Sequence, residues 1–529
     1  MMEKLYFNGK IIPITRSEPE AVLISDGKIK KTGKLADVRA MASSSTEEID
    51  LQGKCMMPSF IDSHSHMIMN GQMSVFADLT ACSSFEQIIT VLKEYIASHS
   101  VSDREVVIGY GYDHNFLKEK RHPDRFVLDK VSQEIPVLLI HISAHMACAN
   151  SMFLKLSGID ENTKNPPGGL IGKSGEGSEP NGYLEEAALA LVQKAIKRRF
   201  PYHADKIAEG MQDDYIKRGI TTIQEGAATE TELKLLKWMA DTHQLKADVV
   251  AYPLITTQGA ELIKRYSDFD RSYRNHLKIG GYKLILDGSP QGRTAWMSEP
   301  YLEGEKDYCG YPYLEDAVVE KYVMQAIKEE RQLLVHCNGD AASEQFLRIY
   351  EKCMAENKVD LRPVMVHCQT VREDQIDRMA RIPMIASVFI GHVWYWGDIH
   401  LRNFGKYRGE HISPVKDAVE RGVIVNFHQD APVTKPDMLQ SVWCAVNRIS
   451  RGGKTIGRQQ KISVGDALKA ITYNAAYQYF EEDIKGSIEE GKNADLVLLD
   501  RSPLEVSPLE IKDIEVLETI KEGETIYEA

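Results

Sequence analysis

Eight short apolar runs, several of them separated by amphipathic stretches, constrain the fold of this chain more than any other feature. They are "MMPSFIDSH" (56–64), "GITTIQEG" (219–226), "ADVVAYPLI" (247–255), "LKIGGYKLILDGS" (277–289), "QLLVHCNGD" (332–340), "RPVMVHCQT" (362–370), "IPMIASVF" (382–389) and "GVIVNFHQD" (422–430). Stretches such as "LEDAVVEKYVMQAIKEER" (314–331) and "VREDQIDRMAR" (371–381) lie between them with the spacing of helices that bury one face. Near-continuous apolar strands separated by helices imply a parallel sheet covered on both faces. Eight such units point to a closed (β/α)8 TIM barrel. The gap of about 150 residues after the first run is too long for one crossover. It is expected to hold an inserted subdomain at about 80–200, with strands of its own in "EVVIGYGYD" and "IPVLLIHIS". That subdomain is expected to cover the mouth of the barrel.

Both ends of the chain have a different texture. "KLYFNGKIIPI", "AVLISDGKIKKTG" and "EIDLQGKCMMP" at the start, and "GSIEEGKNADLVLLD" and "VLETIKEGETIYEA" at the finish, are short strands punctuated by turn pairs such as Asn-Gly and Asp-Gly. One small β-sandwich built from residues 1–55 and 484–529 is expected, flanking a barrel over 56–483. The fold class is therefore α/β: a TIM barrel with an insertion after strand 1, plus a sandwich formed by both termini.

Bulk properties exclude several classes of function. Of 529 residues, 43% are hydrophobic and 27% charged, with a net charge of −13 and no dense basic tract. That leaves no electrostatic footprint for nucleic acid or an anionic membrane. The start of the chain lacks the apolar core of a signal peptide, and no run is apolar for about 18 residues. The eight cysteines form no CxxC pair, as expected of reduced thiols. A cytoplasmic protein with a small-molecule substrate is the expectation, with a homodimer as the default assembly.

In TIM barrels the chemistry sits at the C-terminal ends of the strands. Those ends carry His64 and His66, Lys283 and Asp287, His336, His367, and Asp430. His64 and His66, two apart on a strand, share one face. Imidazole and carboxylate together suit Zn²⁺ or a similar divalent ion, one or two per chain. Protonated lysine is a poor ligand, but carbamylated by CO₂ it becomes an anionic oxygen bridge, and Lys283 is the candidate. Each residue alone has a plainer reading: a hydrogen-bonded histidine, a snorkelling lysine, an aspartate capping a turn. The ordered set HxH, K, H, H, D on strands 1, 4, 5, 6 and 8 favours the metal site.

That set, with "GYGYDHNF", "ISAHMACANSMFLKLSGI", "PPGGLIGKSGEGSEPNGYLEE", "VHCNGDAA", "HVWYWGD" and "FHQDAPVT", resembles the YtcJ-like branch (amidohydrolase family 3) of the amidohydrolase superfamily. N-substituted formamide deformylases belong to that branch. The resemblance implies that His64 and His66 bind the more buried metal, His336 and His367 the second, and that a carbamylated Lys283 bridges them. It implies Asp430 as ligand and general base, with metal-bound hydroxide attacking the carbonyl of an amide, N-substituted or cyclic. Ester or lactone hydrolysis, deamination, or a barrel kept only for binding are the alternatives. "FHQDAP" departs from the "GSDxP"-like turn of many relatives, so His428 or Gln429 is expected to alter the pocket. Substrate-contact candidates are His392 and Trp394, whose aromatic neighbourhood would wall a pocket or pack on the rim, Arg293, and, in the insertion, His145 and Asp113.

Overall fold

The computed structural model describes residues 3–73, 75–175, 177–199, 204–355, 357 and 359–529. They form two compact units. The first comprises Met1–Met67, Gln212–Ala431 and Lys435–Ala529; the second comprises Ile68–Met211 with Pro432–Thr434.

Two all-parallel sheets make the centre of the first unit. One runs Leu277–Ile279, Asp248–Pro253, Ile220–Ala228, Phe60–Ile61. The other runs Gly281–Ile285, Gln332–Cys337, Val364–His367, Ile385–Val388, Val425–Phe427. A parallel bridge from Leu254 to Lys283 ties the first to the second. Ile61, Val250 and Tyr252 of the first share a core with Leu334, Val364 and Ile385 of the second. The helices pack by their apolar spacing: Asp340–Met354 buries Phe346, Leu347, Ile349 and Tyr350. Glu230–Asp241 starts at a capping box between Thr229 and Glu232.

Two of the eight apolar runs are each divided between two strands. Residues 277–289, read as one strand, break at Gly280–Gly281 into Leu277–Ile279, which pairs with Asp248–Pro253, and Gly281–Ile285, which pairs with Gln332–Cys337. A side chain at Gly280 would stand 2.5 Å from the Tyr252 hydroxyl, and one at Gly281 2.2 Å from the Gln332 carbonyl oxygen. Only glycine lets the backbone change partners there. Residues 56–64 likewise change partners at Ser59. Cys55–Pro58 pairs antiparallel with Leu496–Leu499, and Phe60–Ile61 joins the parallel sheet.

Both termini contribute to two further sheets. One runs Lys28–Gly33, Ala21–Ser25, Lys4–Phe7, Glu47–Asp50; the other runs Lys10–Ile11, Cys55–Pro58, Leu496–Leu499, Val516–Lys521, Glu524–Glu528. Tyr6, Val22 and Ile24 of the first meet Met56, Leu496 and Ile520 of the second in one core. The Asp26–Gly27 turn closes a hairpin. The Asn8–Gly9 turn does not: Lys4–Phe7 and Lys10–Ile11 lie in different sheets. Gly9 is pressed against Leu51 and the Lys54 carbonyl, where a Cβ would come within 2.6 Å of each.

The second unit holds a six-stranded sheet ordered Gly169–Lys173, Pro180–Glu186, Met146–Ala149, Val137–His141, Val107–Tyr112, Ala77–Asp78. Val107 and Leu139 face one core and Ile108 and Leu138 the other, the alternation of strands buried on both sides. The stretch 172–182 has its ends in two of these strands, paired antiparallel. All eight cysteines are unpaired. Among the described residues no helix is long and apolar enough to cross a membrane.

Candidate metal centre

At the C-terminal ends of the parallel strands, backbone bonds gather the candidate ligands. Asp430 N donates to the His64 carbonyl (3.2 Å), and His66 N donates to the Ala431 carbonyl (2.9 Å). His367 and Asp430 both occupy the left-handed region, with φ of 79° and 53°. Non-glycine residues are held there only when their surroundings determine it, a strain that concentrates at functional sites.

Hydrogen-bond partners fix which nitrogen of each imidazole is bare. Gln224 spends its amide hydrogens on the Ser63 carbonyl (2.6 Å) and the Tyr479 hydroxyl (3.0 Å), so its Oε1 accepts from His64 Nδ1 (2.6 Å). The Gly226 carbonyl can only accept, and it accepts from His66 Nδ1 (2.8 Å). Both Nε2 atoms are then lone pairs. Each lies 3.4 Å from Asp430 Oδ1, which is buried and has no hydrogen-bond donor. Apart from the Lys283 amine beside His64 Nε2 (3.2 Å), no hydrogen stands among these three acceptors, a convergence that is costly unless a cation joins them. Ligand atoms about 2.0–2.2 Å from a tetrahedral ion stand roughly 3.3–3.5 Å apart, the spacing found here. The residues present fit a divalent metal.

Lys283 Nζ sits 3.2 Å from His64 Nε2 and is almost fully buried. Burial pulls its pKa down to about 7, against the opposing pull of Asp430, so neutral amine is present near neutrality. Burial, with Lys283 adding to it, also holds His64 well below the ordinary histidine range.

His336 and His367 form a second group on neighbouring strands, His336 Nδ1 lying 3.0 Å from His367 Nε2. His336 Nε2 faces two acceptors, the Gly288 carbonyl at 3.1 Å and Asp287 Oδ1 at 3.5 Å, and one donor, the Asn338 amide at 3.1 Å, which already donates to the Gly288 carbonyl at 2.8 Å; the two acceptors favour a hydrogen on that nitrogen. His367 Nδ1 meets His428 Nε2 at 3.2 Å. His64 and His367 approach closely enough, with Asp430, to hold one ion between them. The structure thus brings together His64, His66, Lys283, His336, His367 and Asp430.

Asp287, read from the sequence as another strand-end candidate, has a different position. Its oxygens accept the backbone N–H groups of Trp296, Asn338 and Gly339, which organises the loops around the site. His392 lies at the start of a helix, His392–Glu410, and not in a loop. It is buried edge-on against Phe389, which also neighbours His428 and His367, and its Nδ1 stands 3.1 Å from His400 Nε2. Trp394 packs edge-on against Trp443, with Lys512 over its ring. Arg293 adopts φ 62° with its guanidinium against Gly304.

In the second unit His145 pairs with Glu186 (2.9 Å), and Asp113 lies 3.6 Å from His141 and 3.9 Å from His114. Asp113, His114 and His141 have the spacing of a ligand set, yet the hydrogens argue otherwise. Ser143 N donates to His141 Nδ1 (3.1 Å), so Nε2 bears the hydrogen and faces Asp113 as a donor. A third group, Asp248, His276 and Glu522, already has lysine ammoniums on Asp248. Gln224, Ser387 and the Gly226 carbonyl were not singled out from sequence. A lone glutamine inside "GITTIQEG" is the only trace the first leaves.

Comparison with known proteins adds an independent line. The model of the amidohydrolase family designated Amidohydro_3 matches residues 47–527. The Bacillus subtilis (strain 168) protein YtcJ, itself placed among the amidohydrolases, is 28% identical over 96% of both chains. The N-substituted formamide deformylase of Arthrobacter pascens is 27% identical over 98% of this chain and 97% of its own. Among solved structures, an uncharacterized metal-dependent hydrolase from Pyrococcus horikoshii OT3 superposes with a TM-score of 0.78. It covers 96% of this chain and 99% of that one at 25% identity.

Proposed function

The chain belongs to the amidohydrolase family, and from that premise we propose that it is a metal-dependent hydrolase of a C–N bond, in an amide substituted on nitrogen or closed in a ring. The two parallel sheets are, in this reading, the halves of one (β/α)8 barrel, and the two terminal sheets form a β-sandwich. His64, His66 and Asp430 hold one ion, His336 and His367 a second, and a carbamylated Lys283 stands between them. Imidazole with carboxylate suits Zn²⁺. The observation that carries the reading is the convergence of His64 Nε2, His66 Nε2 and the donorless Asp430 Oδ1 at 3.4 Å. The low pKa of Lys283 supports the carbamate, because only the neutral amine adds to CO₂. Kinship over nearly the whole chain with a formamide deformylase supports the substrate class.

A divalent ion held there supplies a Lewis acid for the carbonyl and lowers the pKa of water. The chain supplies the proton handling. The Asp430 carboxylate takes a proton from the water that adds to the carbonyl carbon and returns it to nitrogen as the C–N bond breaks. Amine leaves only once protonated, which is why an ionised carboxylate in this place matters. The products are a carboxylic acid (formate, for a formamide) and an amine.

The test is amine release from a panel of N-substituted formamides, cyclic amides and matched esters, by the parent and by Asp430→Asn. Asparagine keeps the shape but cannot carry the proton, so turnover should fall by at least about 10³-fold with the circular dichroism unchanged. Turnover within a few-fold of the parent removes Asp430 as the base. Cleavage of esters with no amine released from any amide overturns the C–N assignment.

A further inference from the structure

Behind His367 lies a chain of buried polar atoms with no role so far. His428 Nε2 meets His367 Nδ1 at 3.2 Å, and His428 Nδ1 meets Ser387 Oγ at 2.9 Å. Ser387 Oγ meets Ser63 Oγ at 3.2 Å. His428, Ser387, Ser63, Asn426 and Gln478 are all fully buried, so every hydrogen must be accounted for within the protein.

The far end of the chain has a fixed direction. Gln478 Nε2 donates to the Ser63 carbonyl (2.7 Å), and its Oε1 accepts from Asn426 Nδ2 (2.8 Å). Asn426 Oδ1 therefore faces Ser63 as an acceptor (2.7 Å), beside the Phe427 carbonyl (2.9 Å). The Ser63 hydroxyl hydrogen is committed to these two oxygens, and toward Ser387 its oxygen can only accept.

From Ser387 onward two directions are open. In one, Ser387 donates to His428 Nδ1, His428 Nε2 donates to His367 Nδ1, and His367 Nε2 donates to His336 Nδ1. In the other, His367 Nδ1 donates to His428 Nε2, His428 Nδ1 donates to Ser387, and Ser387 donates to Ser63. Each direction makes three hydrogen bonds, and each imidazole and hydroxyl carries one hydrogen in both, so the net charge is the same. They differ at the two ends: the first leaves the Ser387 and Ser63 oxygens facing each other without a hydrogen. Only the second leaves His367 Nε2 and His336 Nδ1 as two lone pairs facing across 3.0 Å.

We infer that His428 and Ser387 form a reversible hydrogen-bond relay behind His367. It lets that imidazole offer Nε2 to a metal without stranding a buried donor or acceptor. His428 is a positioning residue: it acts through His367 and touches neither metal nor substrate. The inference rests on the metal-site reading. It concerns a feature of this chain, since His428 stands in the "FHQDAP" turn. Outer partners of ligating histidines set tautomer and orientation, and losing one typically weakens metal binding 10–100-fold.

The test uses the full-length protein labelled with ¹⁵N-histidine, the His428 signals being assigned by their loss in His428→Gln. Zn²⁺ loading should move the hydrogen of His428 from Nε2 to Nδ1. In chelator competition, His428→Phe should hold Zn²⁺ at least about 10-fold more weakly than the parent. His428→Gln should stay within a few-fold, because a carboxamide can accept from His367 and donate to Ser387. Ser387→Ala, a far smaller change, should weaken binding several-fold, and it keeps the test decisive if the phenylalanine variant does not fold. A parent that binds no metal overturns the hydrolase reading together with this inference. A parent that binds metal, with His428→Phe or Ser387→Ala binding it as tightly and His428 unchanged in tautomer, overturns the inference alone.

Discussion

Lys283 is an amine buried where water scarcely reaches it, and the energetics of charging it there have a definite sign. Its folded pKa of about 7 lies below the ordinary 10.5, so between these values the unfolded chain binds more protons than the folded one. The stability of the metal-free protein should therefore rise with pH across that window, and the full cost of burying the ammonium is felt below it. Metal-free Lys283→Met should be more stable than the parent at pH 6–7 by a few kcal/mol, about 1.4 for each unit of displacement, with the difference fading toward pH 10.5. Denaturant titrations at several pH values measure this; a difference independent of pH contradicts the burial argument. The ligand candidates were legible because histidine, lysine and aspartate at strand ends stand out against apolar runs. The side chains that aim them were not: Gln224 and Ser387 are ordinary polar residues whose partners lie 160 and 41 positions away.

At the scale of single elements, the glycine pair at 280–281 decides how the two parallel sheets meet. Eight apolar runs could be counted from sequence, but periodicity is silent on where a continuous run changes partners. The close approaches responsible, Tyr252 to Gly280 and the Gln332 carbonyl to Gly281, come from distant positions. In Gly281→Ala the Cβ would meet a backbone oxygen at 2.2 Å, and one of the two strands that carry Lys283 and His336 must shift. The variant should lose about 1–3 kcal/mol of stability in thermal or denaturant unfolding. A loss below about 0.5 kcal/mol would show that the strands separate easily there. The Asn8–Gly9 turn teaches the same lesson, since a hairpin signal marks a tight turn and not the sheet to which the next strand belongs.

Over the first unit as a whole, the C-terminal segment is tied to the parallel strands by buried charge as well as by apolar packing. Asp248 receives Lys485 (2.5 Å), Lys521 (2.7 Å) and His276 (2.8 Å); Lys485 also reaches Glu481 (2.9 Å), and Lys521 reaches Asp495 (2.9 Å). Nothing local in the sequence reveals that Asp248, 237 and 273 residues earlier, awaits Lys485 and Lys521. Lys521→Met would leave Asp248 and Asp495 short of a counter-charge, and should cost about 3–5 kcal/mol in denaturant unfolding. A cost near zero would mean that water reaches the network. The central claim, that the converging acceptors are a metal centre, is tested most directly by elemental analysis of the dialysed protein beside His66→Phe and Lys283→Ala. One to two divalent ions per chain in the parent, reduced in both variants and restored to Lys283→Ala by a short-chain carboxylic acid, is the predicted result. No retained metal in the parent, even after reconstitution with Zn²⁺, would contradict the account.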